Sequence, residues 1–278
     1  MKLEKIWAVY FSGTGTTRRT AERIAGGIAS RLNLPVESVD FSRPAVRQET
    51  LGFGEKDLVV FGTPVYAGRV PNVLLPFLRE RVVGGGALAV PVVLFGNRNY
   101  DDALIELRNI LAADGMHPIA AGAFVGEHSF SRVLGANRPN AEDEALMDEF
   151  AARVAELAAG LDAAPVKSVA VRGQEPLRPY YTPRDRAGNP INILKVKPKT
   201  DLSRCGGCGL CADLCPMGSI DPADVSAVRG ICIKCCACVK GCPTGAKFFD
   251  DAGYLYHQHE LEAQYARPAE NEVFYIQL

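Results

Sequence analysis

Five short runs, IWAVYF at 6–11, SVDF at 38–41, DLVVFG at 57–62, PVVLFG at 91–96 and IAAGAFV at 119–125, punctuate the first half of the chain. They are too short for helices and mostly apolar, as expected of parallel strands covered on both faces. Between and after them the apolar positions follow a helical period. Ala21, Ile24, Ala25, Ile28, Ala29 and Leu32 form one stripe, and Leu146, Phe150, Val154, Leu157 and Leu161 form another behind a cap at Asn140. Strands alternating with helices predict a three-layer, doubly wound α/β domain over residues 1–161. Pro91 cannot donate to a ladder, so the fourth strand is expected to begin there.

The pattern then breaks. Residues 162–200 include PLRPYYTPRDRAGNPINILKVKPK, too rich in proline and too irregular for a regular element. Residues 166–204 carry nine Lys/Arg against three Asp/Glu. This segment reads either as a solvated linker or as a strip that docks on an acidic face of the first domain or of a partner. The last segment, 251–278, holds Tyr254, Tyr256, Tyr265, Phe274 and Tyr275, and such aromatic density predicts a tail packed on the domains.

Composition removes several classes of function. A net charge of -1 leaves no basic surplus for nucleic acid. No run approaches the roughly 18 apolar residues of a membrane helix, and MKLEKIWAVYFSG lacks the form of a secretory leader, so a cytoplasmic location is expected. All nine cysteines lie between 205 and 242, which argues against a disulfide framework holding the whole chain.

Those cysteines are an internal duplication. A shift of 27 residues lays Cys205, Cys208, Cys211, Cys215 and Pro216 on Cys232, Cys235, Cys238, Cys242 and Pro243. Each half reads C-x2-C-x2-C-x3-C-P, a spacing that gives three thiolates to one iron–sulfur cube and carries the fourth across to the other. The crossing implies Cys205, Cys208, Cys211 and Cys242 on one [4Fe-4S] cluster, and Cys232, Cys235, Cys238 and Cys215 on the second. Zinc fits poorly, because three cysteines at this spacing crowd a tetrahedral ion. Cys236 has no cysteine counterpart; it is either a packed thiol or a redox group. The spacing resembles bacterial two-cluster ferredoxins over residues 201–250, which implies a small α+β domain there.

Chemistry in the first domain is expected where strands end. FSGTGTTRRT turns the first strand into the first helix, and Ser12, Gly13, Thr14, Gly15, Thr16 and Thr17 offer hydroxyls and amides to a phosphate, or simply cap the helix. Neither a G-K-[ST] loop nor a dinucleotide fingerprint is present. GTPVYAGRVPN adds Thr63, Pro64, Val65, Tyr66, Ala67 and Gly68. GNRNYDDA adds Gly96, Asn97, Arg98, Asn99, Tyr100 and Asp101. Tyr66 and Tyr100 either face a flat ring or pack their loops. The three loops resemble those of flavodoxins, whose doubly wound five-stranded parallel sheet (order 2-1-3-4-5) binds FMN; the resemblance covers residues 4–161.

The order of parts, including the closing HELE motif, is similar to the flavodoxin–ferredoxin fusions of anaerobes, the EFR-type ferredoxin family. That resemblance implies a soluble electron-transfer iron–sulfur flavoprotein passing single electrons between two [4Fe-4S] clusters and FMN, with redox proteins as partners and the oligomeric state open. A reductase acting at the flavin on a small quinone, nitro or enone acceptor is the alternative, with His128 or Tyr100 as acid. Arg69 and Arg98 either stabilise a reduced anionic flavin or are solvated and balanced by Asp101 and Asp102.

Overall fold

A computed structural model describes residues 1–277. The five runs are strands β1 (Lys5–Tyr10), β2 (Val36–Asp40), β3 (Asp57–Pro64), β4 (Leu88–Phe95) and β5 (Ala120–Val125). All are parallel, in the order 2-1-3-4-5. β4 and β5 are buried at every position, as strands covered on both faces must be. Helices α1 (Thr16–Leu32) and α4 (Ala141–Ala159) share one apolar layer with the sheet, while α2 (Leu75–Arg81) and α3 (Ala103–Ala113) border the opposite layer. Asn140 caps α4 as its sequence predicts, accepting from Glu142 N and Asp143 N while Asp143 returns a bond to the Asn140 amide.

One expectation needs correction and another needs extending. β4 begins at Leu88, three residues before Pro91. On its β5 side, Leu88 and Ala89 pair with His117 and Pro118, and pairing with β5 resumes only at Val92. Pro91 falls in that interruption, where a missing donor costs the ladder little. The tail also does more than pack. Its residues Glu272–Tyr275 form β6, an antiparallel strand added to the β5 edge with Tyr275 opposite Ala120. The edge that would otherwise be exposed is thereby covered by the chain's own end.

The duplicated cysteine region builds two one-turn helices, α5 (Leu210–Asp213) and α6 (Ala237–Lys240), at equivalent places in the repeat. Lys199–Thr200 pairs with Lys247–Phe248, and Ile220 bridges Val228. α7 (Ala252–Gln264) follows, and its Tyr254 joins Cys236 and Phe249 in a small third core that Phe130 and Ile193 flank. The segment 162–200 has no helix; besides an isolated bridge between Arg184 and Pro190 it contributes only the edge pair at Lys199–Thr200.

Candidate functional site

The turn from β1 into α1 leaves a helix end whose polar groups face a cavity. Gly15 is the N-cap residue at φ 87°, and no side chain of its own caps the helix. Ser12 takes part of that role, its Oγ accepting from Arg18 N at 3.2 Å. Thr14, Thr16 and Thr17 line a small cavity that Tyr66, His128 and Cys235 also border. A helix end only partly capped and rimmed by hydroxyls is a donor set suited to a phosphate. Thr63, fully buried at the end of β3, keeps an unpartnered Oγ1.

Beside it lies a larger cavity of about 760 Å³, lined by Val65–Gly68 and by Gly96, Arg98 and Asn99. Its other walls come from elsewhere in the chain: Tyr180–Pro183 and Pro190–Leu194 of the connecting segment, Ile231–Lys234 beside the second cysteine run, and His257 and Leu261 of α7. The connecting segment is therefore a strap across the site. Arg178 holds it down by donating to Asp102, a fully buried carboxylate that also accepts from Gln174 N and Arg178 N at 3.0 and 2.8 Å. The Arg178 guanidinium holds the Asp102 carboxyl below its ordinary range. Further along, Tyr180 Oη donates to Val70 O at 2.8 Å, and Tyr181 N donates to Ala67 O at 2.9 Å.

Several predicted site residues are placed elsewhere. Tyr100 is fully buried, packs on Phe95, and donates to Glu272 Oε2 on β6 at 2.7 Å, so it is withdrawn both as a ring-facing residue and as an acid. Asn97 spends its side chain on the tail, donating to Tyr265 O and Arg267 O and accepting from Ala269 N. Asp101 pairs with Arg98. Arg69 is engaged by Glu106, itself 1% exposed, through two bonds of 2.7 Å, and lies over Tyr180. It does not line the cavity. Arg98 does, stacked on Tyr181 at 4.7 Å.

His128 borders both cavities. Burial, reinforced by Lys240, His257 and Arg98, pushes its pKa down to about 3. Its Nδ1 accepts from Phe130 N at 3.1 Å, which puts the proton of the neutral ring on Nε2. A group held neutral in this way is a hydrogen-bond donor and a poor proton source, so the acid role expected of it is withdrawn.

The thiols divide unevenly between solvent and interior. Cys208 is exposed, whereas Cys235 and Cys238 are buried. Cys215, from the first half, lines one small apolar cavity together with Cys232, Cys235 and Cys238 of the second. Cys242, from the second half, lies near enough to Cys211 for their thiols to interact electrostatically. Equivalent amides serve the two crossing cysteines: Ser219 N donates to Cys215 Sγ at 3.3 Å and Ala246 N to Cys242 Sγ at 3.2 Å. Burial pushes Cys235 and Cys238 up to about 12. Buried thiols of this kind give up their protons only to a metal, and thiolate-only donors at this spacing suit iron–sulfur cubes. Among the described residues no three His, Cys, Asp or Glu side chains converge on a single-ion site.

The two sites touch. A Cβ placed on Gly13 would sit 3.0 Å from Cys235 Cβ and 3.6 Å from its Sγ, a tight contact, so glycine at this position lets the second cysteine run approach the turn between β1 and α1 without displacement. Lys240 Nζ binds Glu127 and donates to His128 O at 2.7 Å, and Arg47 Nη2 donates to Pro216 O at 2.5 Å.

Known families match both halves of this arrangement: the flavodoxin domain over residues 8–102 and the 4Fe-4S binding domain over residues 198–221. No curated protein matches the chain. Similar solved structures include a flavodoxin from the domain Archaea, at 19% identity over 55% of this chain and 97% of that one, with a TM-score of 0.41. A short-chain flavodoxin associated with a bacterial microcompartment is 18% identical over 57% of this chain and 99% of that one, TM-score 0.39. The apo form of an NADH:FMN oxidoreductase is 18% identical over 56% and 89%, TM-score 0.39. Likenesses at these scores carry no argument about activity. The two domain matches do: this is a redox protein of flavin and iron–sulfur chemistry, built for electron transfer. It joins a flavodoxin domain to a 4Fe-4S domain in one polypeptide, a flavodoxin–ferredoxin fusion. Among the described residues no helix is long and apolar enough to cross a membrane.

Proposed function

We propose that the chain passes single electrons between two [4Fe-4S] clusters and one FMN, in the order exposed cluster, buried cluster, flavin. The observation that carries this reading is the contact of Cys235 with Gly13, which brings the second cysteine run against the phosphate loop. Cys205, Cys208, Cys211 and Cys242 would hold the outer cluster, and Cys232, Cys235, Cys238 and Cys215 the inner one. Cys208 and the neighbouring exposed Leu210 and Leu214 give a redox-protein partner an apolar surface at the outer thiols. Ser12–Thr17 would hold the phosphate, and Val65–Gly68 with Gly96, Arg98 and Asn99 would flank the ring. FMN, when bound, supplies the exchange between one- and two-electron chemistry. In this division residues 1–161 form the flavin domain, 162–200 the strap and 201–250 the cluster domain, with the described part of the tail, 251–277, bracing both.

An anaerobic redox titration on one quantified sample tests this. About eight irons and one FMN per chain are expected, with magnetic coupling between the inner cluster and the flavin visible in EPR. Four irons, or two clusters with no coupling to the flavin, would refute the order given.

A further inference from the structure

The large cavity exceeds what a flavin ring fills. It measures about 760 Å³, whereas a tricyclic ring of about eighteen heavy atoms takes up on the order of 300 Å³ at the density of a protein interior. The phosphate arm is assigned to the smaller cavity at Thr14, Thr16 and Thr17. The remaining space lies toward Ile191, Ile193, Leu194, Ile233 and Leu261, an apolar surround.

One side chain on this wall has no task in the electron path. His257 is 7% exposed, stacks on Tyr181 with ring centres 6.2 Å apart, and meets Phe130 edge-on at 6.1 Å. Its ring nitrogens make no hydrogen bond among the described residues and are not among the fully buried unpartnered polar atoms, which leaves them open to a guest in the cavity. Burial, with Arg98 nearby, pushes its pKa down to about 4, so at neutral pH it presents one N–H and one lone pair. The cations on the wall are engaged. Arg98 is paired with Asp101 and stacked on Tyr181, and Lys234 Nζ donates to Leu194 O at 2.7 Å and Cys232 O at 2.9 Å. A carboxylate or phosphate guest would find no free positive charge here.

We propose that this space binds a small, uncharged, conjugated carbonyl compound of the quinone type, gripped by the apolar wall and hydrogen-bonded at its carbonyl oxygen by His257. The site rests on the flavin reading above and gives the protein an organic acceptor besides a redox-protein partner. A neutral imidazole N–H polarises a carbonyl without surrendering its proton. In the reduction, two C=O groups become two C–OH groups. Two electrons arrive singly from a reduced redox-protein partner through the chain's redox centres, and two protons come from water.

The test uses the full chain loaded with flavin and iron, both quantified, in the oxidised state. Duroquinone is titrated while the flavin absorption bands are followed. A saturable shift is expected. His257→Phe, which keeps the aromatic contacts to Tyr181 and Phe130, should weaken binding about tenfold, the loss of one hydrogen bond. His257→Gln should restore most of it, and Leu261→Trp, which fills the space, should abolish binding at unchanged flavin content. Full flavin content with no saturable shift, or undiminished binding in both His257→Phe and Leu261→Trp, overturns the site. A chain that takes up no flavin overturns the flavin reading as well, and the flavin assay distinguishes the two failures.

Discussion

Where the first cysteine run has Gly206, Gly207, Gly209 and Asp213, the second has Ile233, Lys234, Cys236 and Lys240. The backbone barely registers these changes. Gly207 and Lys234 are both left-handed, at φ 69° and 55°, and so are Gly209 and Cys236, at 74° and 58°. The surroundings differ instead. Nothing lies within 4 Å of a Cβ on any of the three glycines, while Lys234 reaches two carbonyls and Cys236 is 3% exposed with its Sγ 3.4 Å from Tyr254 Oη. One half kept the residue the backbone prefers because no neighbour repays a side chain there. The other accepted an unfavourable conformation because the flavodoxin domain, the strap and α7 supply contacts. The repeat keeps its backbone conformation in both halves, and packing against a neighbour makes the two halves unequal.

The comparison is broken most severely at the thiols. Cys208→Ala and Cys235→Ala should each lose about half of the iron, since each removes one ligand of one set. Only Cys235→Ala should also weaken flavin binding, because only Cys235 borders the phosphate cavity. Iron and flavin assays on both variants check this, and equal flavin affinity would show that the inner run is not coupled to that cavity.

Next in size is the strap that closes the inner half. Arg178→Ala leaves the fully buried Asp102 carboxylate with backbone donors alone, at a cost of about 1–3 kcal/mol in urea unfolding. Flavin affinity should fall in parallel, while iron content at the exposed half should stay constant.

The inner side should also carry a pH dependence of its own. An unfolded histidine titrates near 6.5, and His257 in the fold near 4. Between those values the unfolded chain binds the extra proton, so the contribution of His257 is complete above about pH 6.5 and is lost as the pH falls toward 4. At pH 5 the loss is at most about 2 kcal/mol. In His257→Phe, denaturant midpoints measured between pH 7 and 5 should decline less steeply than in the parent.

The same division governs what the sequence disclosed. The five strands, the Asn140 cap and the cysteine repeat rest on local periodicity and spacing, which survive in any tertiary setting. Tyr100 misled because an aromatic in a loop reads as a ring-facing residue; its partner Glu272 stands 172 positions away on a strand too short to announce itself. Of the strap, the sequence carries the basic, irregular character and the choice between a solvated linker and a strip docked on an acidic face; the carboxylate that fixes Arg178 stays hidden because it stands 76 positions back. His257 carried no motif at all. A helix brings it to the cavity, and the only forewarning was the aromatic density of the tail.

The smallest effect tests the comparison most directly. Gly209→Ala adds a methyl group to open space, so any loss of stability comes from the left-handed backbone and not from a clash. A cost of about 1–2 kcal/mol is expected for a non-glycine residue there. Cys236→Gly is the reverse exchange in the other copy. It relieves the same conformational cost but removes the Sγ contact with Tyr254 and leaves a void beside Phe249, so the two terms oppose each other. Thermal unfolding of the iron-loaded variants should therefore show a clear loss for Gly209→Ala and a change within about 1 kcal/mol for Cys236→Gly. If Gly209→Ala were neutral, backbone preference would not be what keeps glycine in the outer half. The divergence of the copies would then need another cause, with contact between a partner and the open glycine surface the first to examine.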